Sequence, residues 1–404
     1  MPAIGIEVSV VAVGEGANFL EGGGGRGTAP APCSHRPPCT ACPRYGDPGI
    51  APAAAATLAQ LARTHGLGGP SLVSGPVAAF RSRARLAIRG RISSPKIGLF
   101  EEGTHRVVHL PHCRVHHPLI NRVAQTVRGA LIDARVPLYS EAAHLGLARY
   151  LQVVVERRSQ SAQVVLIANS AKSEPLAQAL GLIRERLGNE MHSIWFNAQC
   201  ERSNVILGPT FERIAGAESV VECFGGAHVH YPPGAFGQSN LEIAGQIIAE
   251  LRRQVPSDAR VAEFYAGVGA VGLSLLEQVQ ELRVNEVSRQ SLQGLEMGMA
   301  GLDARTRAKV SVLPGPASTA LDAVAGADVV IVDPPRKGLD ESLAQHLAAQ
   351  PPQRLLYVSC DLGSLLRDTA CLLALGRLRL AALTVFNLMP YTDHVETLAR
   401  FEKS

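Results

Sequence analysis

The sequence predicts an α/β protein in two parts, a mixed α+β region followed by a doubly wound, mostly parallel sheet. Three observations carry this. After Pro232-Pro233 the chain alternates short apolar runs with helical stretches, the pattern of strands joined by crossover helices. The first of those runs ends in a glycine-rich turn, Ala266-Gly267-Val268-Gly269-Ala270-Val271-Gly272. Two later runs end in the reactive side chains Asp333 and Cys360, at the strand ends where open α/β sheets carry their sites.

Along the chain, residues 1–32 open with a strand-like run from Ile4 to Val13 and pass into a flexible, glycine- and proline-rich lead-in. Ala51 to Thr64 is alanine-rich and helical, and Phe80 to Pro118 alternates as short strands. Helices are expected over Ile120–Arg135 and Ser173–Leu187, and strands over Leu151–Glu156 and Gln163–Ala168. A boundary near residue 232 divides the remainder into 33–232 and 233–404. In the second part the strands are Val261–Tyr265, Leu282–Glu286, Lys309–Leu313, Asp328–Val332 and Leu355–Ser359, and His394-Val395-Glu396 opens the last.

Composition limits the options. With 46 % hydrophobic residues in 404, most of the chain should fold into domains with their own cores. A net charge of +4 permits a nucleic-acid partner without demanding one, and 4 % aromatics leaves little room for widespread base stacking. No secretory signal or membrane-spanning stretch is evident, so a cytoplasmic protein with reduced thiols is expected.

The glycine turn fits G-x-G-x-x-G between a strand and a helix, and Glu286, ending the next strand, is placed to accept from ribose hydroxyls. Both a nicotinamide dinucleotide and S-adenosylmethionine satisfy that pattern. The other end of the sheet discriminates. A dehydrogenase needs neither Asp333-Pro334-Pro335 nor a strand-end cysteine, whereas Asp-Pro-Pro after the fourth strand is frequent among methyltransferases. Amino-group methylases usually continue with an aromatic, where this chain has Arg336.

Five motifs occur in order: Phe236-Gly-Gln238-Ser-Asn240, Glu263-Phe-Tyr265-Ala-Gly-Val-Gly, Asp333-Pro-Pro-Arg-Lys-Gly-Leu, Tyr357-Val-Ser-Cys360 with Arg367-Asp368, and His394-Val-Glu396. Together, over residues 236–396, they resemble the RNA 5-methyluridine methyltransferases. The resemblance implies a Rossmann-like class I methyltransferase domain. It implies S-adenosylmethionine contacts at Gln238, Tyr265, Glu286 and Asp333, a nucleophile at Cys360 and a proton-abstracting base at Glu396. Two departures stand out: Asp361-Leu362 where the family often has Asn-Pro, and Ala266 where it often has cysteine.

The chemistry explains these residue types. Uracil C5 is a poor nucleophile until a thiolate adds at C6 and makes C5 enolate-like; a base then removes the C5 proton so that the thiolate can leave. A cysteine thiolate serves both addition and departure.

In the first part, Cys33, Cys39 and Cys42 cluster and Cys113 lies far beyond, a set able to form a four-thiolate site for zinc or an iron–sulfur cluster. The family resemblance implies a [4Fe–4S] cluster. The histidines His105, His109, His112, His116 and His117 could supply a zinc ligand, but most are expected to face solvent or RNA. Between these cysteines, Arg81, Arg83, Arg85, Arg89 and Arg91 alternate with Leu86 and Ile88, giving a strand with one apolar and one guanidinium face. A phosphate-facing strand is expected, against a charge-protected edge strand.

The resulting expectation is an iron–sulfur and RNA-binding domain over 33–232 and an S-adenosylmethionine-dependent methyltransferase domain over 233–404. RNA is the one partner expected, with 23S rRNA first and tRNA second, and no membrane or obligate protein partner. Two alternatives remain: an RNA cytosine-5 methyltransferase, and a non-catalytic RNA-binding or redox-sensing iron–sulfur protein with a vestigial methyltransferase fold.

Overall fold

The computed structural model describes residues 32–404; the strand expected over Ile4–Val13 and the lead-in before residue 32 lie outside them. The described chain opens with the cysteine-bearing turns, then α1 (Pro52–Thr64) and β1 (Ser71–Val73). A seven-stranded sheet follows, from β2 (Arg83–Arg91), β3 (Ser94–Phe100) and β4 (Val107–His109), then α2 (Pro118–Asp133), β5 (Ala148–Glu156) and β6 (Ser161–Ala168). It is completed by α3 (Ala177–Leu187), β7 (Met191–Ala198) and β8 (Thr210–Gly216), in the order β4-β3-β2-β5-β6-β7-β8. Every residue of β5 and β6 is buried, because α2 and α3 cover one face and other elements close the second. A hairpin of β9 (Val220–Phe224) and β10 (Ala227–Tyr231) links the two parts.

The second part is α4 (Leu241–Gln254), β11 (Ala259–Phe264), α5 (Ala270–Leu275), β12 (Val279–Glu286), α6 (Arg289–Ala300), α7 (Ala304–Arg307) and β13 (Val310–Pro314). It continues with β14 (Val329–Val332), α8 (Glu341–Ala349), β15 (Arg354–Ser359), α9 (Leu362–Leu373), β16 (Leu378–Phe386) and β17 (Glu396–Lys403). The expected alternation is present. The eight-stranded order is β1-β16-β17-β15-β14-β11-β12-β13, parallel except for β17, which runs antiparallel between β15 and β16. Helices cover both faces: α8 and α9 pack Leu343, Leu347 and Leu365 under one, and α4, α5 and α6 pack Ile243, Leu251, Leu275 and Leu295 under the other.

Part of the segment expected in the N-terminal domain packs elsewhere. Leu58 and Leu61 of α1 are buried with Phe264, Tyr357 and Phe401 of the second sheet, and β1 pairs with β16. The alanine-rich composition of Ala51–Thr64 predicts a helix but not which sheet would cover it.

The guanidinium strand is also corrected. Ala84, Leu86 and Ile88 do point into the core, as the alternation requires. The opposite face does not meet solvent along its length. Arg83 donates to the Ala235 carbonyl at 2.6 Å and lies over the Tyr231 ring; Arg81 reaches Met389 Sδ at 3.4 Å. Arg89 pairs with Glu141 and lies near the rings of Phe100, Tyr139 and Tyr150. Only Arg85 and Arg91 of the five are exposed.

Candidate active site

The strand register assembles the site. In the antiparallel β15–β17 pair Ser359 faces Thr397, so one residue further on Cys360 stands opposite Glu396. In the parallel ladders Val332 lies beside Tyr357 and Phe264, which sets Asp333 between the Cys360 and Tyr265 strand ends. Glu286 ends the next strand, β12. Across the carboxyl edge the sequence is therefore Glu396, Cys360, Asp333, Tyr265, Glu286.

Cys360 begins the turn into α9. Asp361 caps that helix by accepting from Ser364 N at 2.8 Å. The exchange of Asn-Pro for Asp361-Leu362 thus keeps an N-capping side chain at the position that needs one. Burial pushes the Cys360 thiol up to about 11, and the nearby charges of Glu396 and Asp333 add to this, while Arg336 opposes them. Glu396 is buried and held well above the usual carboxylate range, first by burial and then by Asp333. Burial likewise raises Asp333. All three shifts disfavour the charged forms in the ligand-free site, and a cationic ligand would oppose them. At the rim Arg336 and His394 approach to 3.4 Å.

Glu286 is fixed by three backbone donors: Gly267 N at 2.7 Å, Val287 N at 2.8 Å and Ser288 N at 2.6 Å. Gly267 has φ +60°, and nothing lies within 4 Å of where its Cβ would be, so the turn leaves open space over the acid. Gln238 lies half-buried in the loop before α4, beside Ser239 and Asn240, of which Asn240 donates to Leu388 O at 3.1 Å.

Two further acids carry the site. Glu263 sits beneath the glycine turn, where burial, with Asp333 and Glu286 nearby, raises it to about 8. Its Oε2 and the Oε1 of Glu396 are buried without a hydrogen-bond partner. Asp368 of α9 accepts from Tyr357 Oη and Leu339 N, each at 2.8 Å, and from Arg367. Arg367 also donates to Lys337 O at 2.6 Å, and Tyr265 Oη accepts from Asp340 N at 3.0 Å. These bonds tie the loop after Asp333 to the helix after Cys360. Both acids lie inside motifs quoted above; only the fold reveals their work. Orphaned acidic oxygens, an anchored Glu286 and an open glycine cradle fit the cationic, ribose-bearing S-adenosylmethionine.

The thiols of Cys33, Cys39, Cys42 and Cys113 are all half-buried and free. They are near enough to act on one another: burial, then Cys113 and Cys39, push Cys42 up to about 11. Among the described residues no three His, Cys, Asp or Glu side chains are grouped closely enough to hold one metal ion. Of these histidines, His105 and His112 are exposed, His109 and His117 half-buried, and His116 buried. His116 is buried and held down to about 4 by burial, with Arg81 adding to the shift; His109 lies against Ile97, and His117 caps α2. His105 contacts Glu141, and His112 is exposed. Among the described residues no helix is long and apolar enough to cross a membrane.

The strand order, with one antiparallel strand inserted third from the edge between β16 and β15 and acids at the carboxyl ends, is that of a Rossmann-like S-adenosylmethionine-dependent methyltransferase. The tRNA (Uracil-5-)-methyltransferase family model matches residues 320–403. An uncharacterized RNA methyltransferase of Protochlamydia amoebophila is 33 % identical over 340 residues, covering 83 % of this chain and 88 % of that protein. Another, from Geobacter sulfurreducens, is 29 % identical, covering 80 % of this chain and 66 % of its own length. The solved structure of Pyrococcus abyssi tRNA (uracil-54, C5)-methyltransferase with S-adenosyl-L-homocysteine superposes with TM-score 0.69 at 20 % identity, covering 85 % of this chain and 81 % of that one. The chain belongs to the RNA methyltransferase family, and its match to the uracil-5 model is confined to residues 320–403.

Proposed function

We propose that this protein methylates C5 of a uridine in structured RNA through a covalent Cys360 adduct, with Glu396 as the base. The observation that carries this reading is the β15–β17 register, which sets Cys360 opposite Glu396 beside Asp333. S-adenosylmethionine, when bound, supplies a methyl on a sulfonium, and Gln238, Tyr265, Glu286 and Asp333 are the residues proposed to hold it. The Cys360 thiolate adds to C6 of the uracil, breaking the C5=C6 π bond and leaving negative charge at C5 and O4. C5 takes the methyl, and the S–CH3 bond breaks with its electron pair returning to sulfur, leaving a neutral thioether. Glu396 then accepts the C5 proton; the C–H pair re-forms C5=C6, and the C6–S bond breaks to return the thiolate. The high affinity of the thiol for its proton makes activation by the bound cation and by Arg336 part of the reading.

In this reading residues 33–232 bind RNA, residues 233–404 carry the chemistry, and the enzyme works in the cytoplasm. The 23S rRNA is the preferred substrate, with tRNA second. Cys33, Cys39, Cys42 and Cys113 are the residues that would hold a [4Fe–4S] cluster, as the family resemblance implies. About four irons per chain in anaerobically purified protein would support that assignment, and stoichiometric zinc without iron would overturn it.

The catalytic test compares Cys360→Ala with Glu396→Gln on RNA from cells lacking the protein. Cys360→Ala is expected to transfer no methyl. Glu396→Gln is expected to leave methylated RNA attached to the protein through denaturation. Substantial 5-methyluridine formation by Cys360→Ala would sink the mechanism. Mapping the methylated position by mass spectrometry decides between rRNA and tRNA.

A further inference from the structure

The connection from Asn387 to Val395 leads directly into Glu396 and is gripped from the far end of the chain. Arg44 N donates to Tyr391 O at 3.0 Å, and the Arg44 guanidinium reaches Thr392 O at 3.4 Å. The Tyr45 and Tyr391 rings stack with centroids 5.0 Å apart. Asn387 Nδ2 donates to Pro48 O at 2.7 Å. Tyr391 is buried at φ +68°, a backbone conformation that a bulky residue keeps only where its surroundings hold it there. Those surroundings are Phe80, Val115 and Met389 with Cys42, Tyr45 and Cys113. Beyond Tyr391, Thr392 Oγ1 donates to Met389 O at 2.8 Å and accepts from His394 N at 3.2 Å, passing the constraint to the residues before the base.

Glu396 needs such help. Its backbone is set by β17, but its Oε1 has no hydrogen-bond partner among the described residues. The carboxylate is therefore aimed by packing, and the buried Val395 next to it belongs to the gripped connection. We infer that Arg44 and Tyr45 are positioning residues for the reaction: their turn fixes the Asn387–Val395 connection and so the aim of Glu396. The inference rests on the reading of Glu396 as the base. It also gives the cysteine segment a mechanical route to the chemistry, since Cys42 packs in the same cluster as Tyr391.

The test uses the full chain with Tyr45→Ala, Arg44→Ala and Tyr45→Phe, which keeps the stacked ring. Two readouts are taken: amide hydrogen exchange at 388–396 against 354–359, and the fraction of RNA trapped in the denaturation-resistant adduct. Tyr45→Ala should exchange about tenfold faster in the connection with β15 unchanged. It should also methylate in a single turnover like the unsubstituted protein while its adduct persists several-fold longer, roughly as a misaimed base predicts. Arg44→Ala, which keeps its backbone bond to Tyr391 and loses the reach to Thr392, should show a smaller change in the same direction, and Tyr45→Phe should lie closer to the unsubstituted protein than Tyr45→Ala. Unchanged exchange in the connection of folded Tyr45→Ala overturns the inference, as does an equal loss of methyl transfer and adduct breakdown. Glu396→Gln run alongside separates the two ideas. If it releases product normally the base assignment fails, and the exchange result alone then decides whether this turn holds the connection.

Discussion

Replacing Glu263 by glutamine should stabilise the ligand-free protein, and by more as pH rises. Glu263 is 4 % exposed on β11, and a Cβ added at Gly272 would fall 2.3 Å from its Oε2, so the α5 backbone presses on the carboxylate. Burial is the largest cause of its raised pKa; the Gly272 amide opposes it, and Asp333 and Glu286 add to it. The folded protein keeps this proton up to about pH 8, whereas the unfolded chain releases it near 4.5. Below 4.5 both states are protonated and the folded state suffers no loss. Between those values the unfolded chain binds fewer protons, so stability falls by about 1.4 kcal/mol per pH unit. The loss reaches on the order of 3 kcal/mol at pH 7 and 5 kcal/mol by pH 8. Glutamine has the same shape and no charge to bury, so the variant escapes that slope. Urea unfolding of both proteins at pH 5, 6, 7 and 8 measures it: the stability gap should widen steadily across the series in favour of Glu263→Gln. A gap that stays constant with pH would refute the reasoning, because a fixed offset reports shape or packing and not a buried charge.

Asp368→Asn keeps the size but weakens bonds to Tyr357 Oη, Leu339 N and Arg367; a loss of about 3 kcal/mol is expected in urea unfolding. A concurrent fall in S-adenosylhomocysteine affinity by calorimetry would show that the Asp333 loop has loosened with it. Arg83→Ala strips the Ala235 carbonyl of its donor and should cost about 2 kcal/mol of stability. Arg91→Ala, at the exposed end of β2, should leave stability within about 0.5 kcal/mol yet weaken RNA binding and flatten its salt dependence. Equal stability losses for the two would return Arg83 to the solvent-facing class.

Much of the second part was legible because its signals are local. Each strand after residue 232 is an apolar run bounded by turn residues, and Asp333, Cys360 and Glu286 fall at strand ends whatever the strand order. The acid after Cys360 could be read as a departure from a family pattern; the fold shows it to be a helix cap. Other features depend on contacts between distant segments. Antiparallel insertion of β17 beside β15 brings Glu396 across from Cys360, and neither strand encodes its neighbour. Glu263 looks like one more strand acid until α5 closes over it. The arginine alternation in β2 specified two faces correctly, yet Arg83 ended against Tyr231 because the linking hairpin covers that end. Likewise α1, legible only as an alanine-rich helix, joined the second sheet. Periodicity records which side of an element avoids water. Which distant element supplies the covering surface is settled by packing the whole chain, where burial, charge and register must be satisfied together.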